Sequence, residues 1–153
     1  MEAVVEIETA TGGGSRIIHI GEPATQNTEM GMTIDDAGLV ELRWNGNTHV
    51  AEWNNTNLLG GGRHVVHLVV DVDAQARARL YLDGQELPAT GASGPGQGEV
   101  LSLMAISELV LFNRTEGART FEGVGYYAAI YDTALSPQDV SANAQALLAW
   151  DDG

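Results

Sequence analysis

His64-Val65-Val66-His67-Leu68-Val69-Val70-Asp71-Val72-Asp73, followed after a short break by Arg77-Ala78-Arg79-Leu80-Tyr81-Leu82-Asp83-Gly84, is the stretch that decides the fold. In the first run His64, Val66, Leu68, Val70 and Val72 fall on one face, and Val65, His67, Val69, Asp71 and Asp73 on the other. Ala78, Leu80 and Leu82 alternate in the same way with Arg77, Arg79, Tyr81 and Asp83. A period of two is the signature of a strand. The break has hairpin length, and Asp83-Gly84 suits a tight type I′ turn because both residues tolerate positive φ. Two successive hairpins with no helical crossover predict an antiparallel sandwich or jelly roll.

Outward from this core the same grammar repeats. Strands are predicted over Ala3 to Thr9, Arg16 to Ile20, Thr28 to Ile34, Leu39 to Trp44, His49 to Trp53, Glu108 to Asn113 and Val124 to Tyr131. Between them lie turn-forming runs such as Gly12-Gly13-Gly14, Asp35-Asp36-Ala37-Gly38, Asn45-Gly46-Asn47 and Gly60-Gly61-Gly62. One helix is expected near the C-terminus. Ser136 is placed to cap it, Pro137 to occupy its first position and Asp139 to stand three residues after the cap in an arrangement near a capping box, while Val140, Ala144, Leu147 and Leu148 form one apolar stripe. Such a helix is expected to pack across an edge or end of the sandwich.

Composition narrows the function. The chain has 153 residues, and its 44% hydrophobic content is enough to build a core, so we expect one folded domain over 1–153. A formal net charge of -14 would repel phosphate backbones and anionic lipid headgroups, which argues against nucleic-acid and membrane-surface partners. The chain has no Cys, which removes disulfides, zinc-thiolate sites, iron-sulfur clusters and a Cys nucleophile. The acidic start, Met1-Glu2-Ala3-Val4-Val5-Glu6, lacks the basic flank and long apolar run of a signal peptide.

Three blocks carry a family resemblance. Gly62-Arg63-His64-Val65-Val66-His67-Leu68-Val69-Val70-Asp71, Ala78-Arg79-Leu80-Tyr81-Leu82-Asp83-Gly84-Gln85, and Phe121-Glu122-Gly123 through Ala129-Ile130-Tyr131-Asp132-Thr133-Ala134-Leu135-Ser136-Pro137 stand in the order and spacing of a known pattern. They resemble the laminin-G-like, concanavalin A-like jelly rolls, in particular their bacterial branch. That resemblance implies an all-β, two-sheet antiparallel jelly roll with one C-terminal helix and an extracellular or cell-surface setting. It also implies a non-catalytic module that recognises a glycan or a protein partner through loops or the concave sheet. The alternative is a structural or assembly domain of a larger extracellular protein with no free ligand. Two departures from the pattern matter. Tyr126 stands where members commonly carry an Asp that helps hold calcium, and a phenol is a poor substitute, so the usual metal site is expected to be weak or absent. An initial strand common in members also lacks room here, which suggests a piece of a longer chain, a strand-completing neighbour or a homo-oligomer.

Catalytic and metal sets are not evident. The E-x-D-x-x-E run of related glucan hydrolases does not occur, and the pairs Glu6 with Glu8 and Asp71 with Asp73 each lack a third acid, so no enzyme is expected. His64 and His67 should point to opposite faces, and His19 and His49 stand isolated. No metal and no cofactor is expected. Glycan binding has one local match: an aromatic face for the apolar side of a sugar, with amides for its hydroxyls. Trp44 and Trp53, with Asn54, Asn55 and Asn57, supply both in one segment, and Arg119 in the loop before Phe121 is a second contact candidate. The same residues also fit core aromatics joined by Asn-rich turns.

Overall fold

The fold was described from a computed structural model. It describes residues 1–10, 14–22, 27–46, 49–60, 62–90, 94–102, 107–113 and 120–150. The deciding hairpin forms as its alternation requires. β6 (Arg63–Val70) pairs antiparallel with β7 (Ala78–Leu82), Leu68 opposite Leu80 and Val66 opposite Leu82. The next turn brings in β8 (Gln85–Leu87), with Asp83 at φ 51° and Gly84 at φ 83°, both left-handed as a type I′ turn demands. The first strand stops at Val70, earlier than its sequence suggests. Asp71 and Asp73 therefore sit in the turn and not on a strand face, and Asp71 Oδ1 accepts from the Asp73 amide at 3.2 Å.

The remaining strands are β1 (Glu2–Ala10), β2 (Ser15–Glu22), β3 (Asn27–Ile34), β4 (Val40–Trp44), β5 (His49–Trp53), β9 (Glu108–Leu111) and β10 (Phe121–Ala129). They form two five-stranded antiparallel sheets, β10-β1-β6-β7-β8 and β5-β4-β3-β2-β9, which is the two-sheet jelly-roll sandwich the sequence predicts. Ala3, Val5, Ile7, Val66, Leu68 and Leu80 of the first sheet meet Ile18, Met32, Ile34, Leu42, Ala51 and Trp53 of the second in one buried core. No gap is left beside β1. It is paired on both sides, by β10 and by β6, so the expected missing strand is not needed to complete that position.

The helix α1 (Pro137–Leu148) begins as predicted, with the Ser136 hydroxyl accepting from the Asp139 amide at 3.2 Å and Pro137 in the first turn. Its position is different. It lies on the outer face of the first sheet and not on an edge, because Val65 and Val69 of β6 and Val4 of β1 are apolar on the face opposite the core. Val140 packs on Val69 and Tyr81, and Ala144 on Val4 and Val65. Arg63 fixes its far end by donating to the carbonyls of Leu147 and Trp150, each at 2.9 Å, where the last carbonyls of a helix lack partners. No described helix is long and apolar enough to cross a membrane.

Candidate functional site

The Trp and Asn segment divides between two ends of the β4–β5 hairpin. Trp44 ends β4 opposite Met30, while Trp53 ends β5 opposite Val40. Both side chains face the interior, but the length of the five-residue β4 separates them, about 14 Å. They form no common platform. Trp53 is fully buried and belongs to the core, so as a sugar-stacking residue it is corrected: no face of its indole reaches solvent. Asn54, Asn55 and Asn57 are exposed on the turn after β5. Asn57 takes φ 39°, and the buried Thr56 hydroxyl accepts from the Val40 amide at 2.9 Å, so this turn has a structural explanation. Arg119 lies outside the described residues.

Trp44, by contrast, is half-buried and lines a cavity of about 390 Å³ at the end of the sandwich. Ile20, Met30, Leu68, Val70 and Leu101 are among its apolar lining residues, and Tyr131, Asp132 and Thr133 line it as well. A neighbouring pocket shares Trp44, Val70, Leu101 and Ala134 and adds Asp71 and Glu99. One side chain from the turn that follows Trp44, in the same Asn-rich segment, holds this wall. Asn45, at φ 48°, donates to Glu99 Oε1 at 2.8 Å and to the Val100 carbonyl at 3.0 Å, and accepts from the Ser102 amide at 2.8 Å. It thereby ties residues 99–102 beside Trp44. These partners are more than fifty positions away in sequence, so no local pattern could reveal them.

The opposite wall is anchored beneath the helix. Glu2 and His67 face each other across β1 and β6, both side chains only 1% exposed, with His67 Nε2 against Glu2 Oε2. Tyr131 donates to the same oxygen at 3.1 Å and Asn143 at 3.2 Å. Burial pushes the Glu2 carboxyl upward, but the hydrogen bond and charge of His67, with Asn143 and Tyr131, outweigh it and hold the group below its ordinary value. Tyr131 is raised, first by burial and then by the Glu2 charge, so it remains a hydroxyl donor. Tyr131 thus joins the cavity wall to a buried polar network.

Two further groups of acids were located. Tyr126, at the position where the family resemblance expects a calcium-ligating acid, donates to Glu6 Oε2 at 3.0 Å, and its ring lies 5.0 Å from the Arg63 guanidinium carbon. Its role here is a hydrogen bond and a cation–π contact. On the outer face of the second sheet, His49 is not isolated. It lies 3.5 Å from Glu41 and 3.3 Å from Glu52. The cause is a β-bulge: Leu42 pairs with Ala51 but Arg43 pairs with His49, so Val50 is the extra residue and His49 turns to the face that carries Glu52. His64 Nδ1 approaches Asp83 at 2.9 Å.

Comparison with solved structures places this architecture among known ones. A candidate carbohydrate binding protein from Bacteroides ovatus ATCC 8483 matches with a TM-score of 0.63 at 16% identity, over 92% of this chain and 38% of that one. Trypanosoma rangeli sialidase in complex with sialic acid matches with a TM-score of 0.62 at 18% identity, over 97% of this chain and 23% of the sialidase. The same sialidase with 2,3-difluorosialic acid gives 0.60 at 19%, over 97% and 22%. The chain therefore spans between about a fifth and two fifths of the length of these proteins, and at such identities the likeness is one of fold. No curated protein matches in sequence. The sequence profile described as the concanavalin A-like lectin/glucanases superfamily matches residues 1–141, and the chain belongs to that superfamily.

Proposed function

We propose that the chain is a non-catalytic binding module that takes a neutral glycan in the cavity beside Trp44. The observation that carries this reading is a half-buried indole in an apolar wall, with Asp132 and Thr133 in the same lining. An indole matches the apolar side of a pyranose, and the polar groups match its hydroxyls. A volume of about 390 Å³ is at the small end of ligand pockets and suits about one or two sugar rings. The nearby carboxylates Asp71, Glu99 and Asp132 disfavour an acidic sugar. Glu6 is engaged by Tyr126, and the chain contains no E-x-D-x-x-E run, which favours binding over hydrolysis.

Calorimetric titration with a panel of neutral oligosaccharides tests the reading. Trp44→Ala is expected to weaken binding by about 2 kcal/mol, roughly a thirtyfold rise in Kd. Asn55→Ala, at the far end of the hairpin, is expected to leave it unchanged. Absence of any binding at millimolar sugar, or equal loss in both variants, contradicts it. A second reading, an assembly module, is favoured by the outer edge strands: Leu109 of β9 is 54% exposed and Val124 of β10 48%. On that reading light scattering finds a concentration-dependent oligomer that Val124→Lys disperses. A monomer at all concentrations contradicts it.

A further inference from the structure

Glu41 and Glu52 are directly opposite one another on β4 and β5. Like charges in that position are destabilising unless something positive lies between them. The bulge at Val50 delivers His49 to that place, its Nδ1 toward Glu41 Oε1 and its Nε2 toward Glu52 Oε2. One ligand atom from each of the three residues lies within 4.8 Å of the others.

The Glu41 carboxylate is held as a metal ligand is usually held. Its side chain is 11% exposed, and its Oε2 accepts from Thr33 Oγ1 at 3.2 Å and from Arg43 Nη2 at 2.9 Å, which leaves Oε1 turned to His49. Outer partners of this kind fix the orientation of a first ligand. His49 and Glu52 are more exposed, 43% and 29%, and so are free to close inward. Arg43 offsets one of the two carboxylate charges and the imidazole offsets neither when neutral, so the cluster retains a deficit of positive charge.

We propose that Glu41, His49 and Glu52 form a divalent transition-metal site, with zinc the fitting ion. An imidazole nitrogen with two carboxylate oxygens is a borderline donor set that suits zinc; calcium prefers 6 to 8 oxygens, more than these side chains offer. One metal takes one imidazole nitrogen, so the His49 ring or Glu52 must turn to bring both carboxylates to the same nitrogen, and bonds of about 2.0–2.2 Å draw the three ligand atoms together by roughly 1 Å. Three protein ligands leave a fourth position open to water or to an oxygen of another molecule.

Titration of the whole chain with zinc chloride, followed by calorimetry and by histidine ring resonances, tests the proposal. One equivalent of zinc is expected to bind and to shift the ring signals of His49. His49→Ala and Glu52→Gln should each weaken that event at least about tenfold, while His64→Ala, which removes a different histidine and acid pair, should not. Glu41→Gln is not relied upon, since Glu41 also holds Thr33 and Arg43. Zinc binding that is equal in wild type and His49→Ala, ring shifts confined to His64, or no stoichiometric binding overturns the proposal.

Discussion

Glu2→Ala is expected to cost about 3–5 kcal/mol of stability, and His67→Ala a similar amount, because each leaves the other group buried without its partner. The two side chains are 1% exposed beneath α1. Removing Glu2 also strips Tyr131 and Asn143 of their shared acceptor. For a chain of this size the loss corresponds to roughly 10 °C in Tm. The double variant Glu2→Met with His67→Leu should recover part of it, since apolar side chains in place of the buried pair leave neither charge unpaired, while Tyr131 and Asn143 still lose their acceptor and keep only their mutual contact. A depressed carboxyl also sets the direction of the pH response. Its contribution is complete above the ordinary glutamate range, near 4.3, and is lost as pH falls through the lower native value. Thermal melts should therefore decline on acidification in the wild type and more shallowly in the double variant. Single variants that melt with the wild type would contradict this account of the network.

Gly123→Ala is expected to be the most damaging substitution in the last strand. Gly123 faces Ile7 across a bulge in the β1–β10 ladder, and a Cβ there would overlap the Glu6 carbonyl oxygen. Backbone cannot yield as a flexible side chain can, so the cost is about 3 kcal/mol or more. Gly46 provides the comparison. Its φ of 157° is nearly that of Gly123 at 153°, yet a Cβ at Gly46 meets nothing within 4 Å. Gly46→Ala therefore carries only the backbone penalty, about 1 kcal/mol. The difference between the two urea midpoints isolates the close approach of β10 to β1. Equal losses would mean that this pairing is wrong.

The strand pattern was legible because alternation is a local property and the inner faces follow it closely. His49–Trp53 has the predicted bounds, and β3, β4 and β7 agree to within a residue at either end. The turn at Asp83-Gly84 and the Ser136 cap were legible for the same reason. The helix position was not, since it depends on β6 burying Val65, His67 and Val69 as well as its inner face, and a sequence does not say what covers a second apolar face. Departures from regular pairing were hidden as well. Spacing places His49 and Glu52 on opposite faces of a regular strand, and only the bulge at Val50 brings them together. The aromatic residues divided for a related reason. Trp44 and Trp53 share a face, but the hairpin sends one to an open end and the other into the core.

That division makes the central claim directly measurable. The chain has 3 Trp, so its spectrum contains three indole N–H resonances, from Trp44 at the cavity, Trp53 in the core and Trp150 beyond the helix. On titration with a bound neutral oligosaccharide, the Trp44 signal is predicted to move in a saturable way while those of Trp53 and Trp150 stay in place. A saturable shift of Trp150 with Trp44 unmoved, or no indole shift under saturating sugar, would contradict the claim that glycan is received beside Trp44.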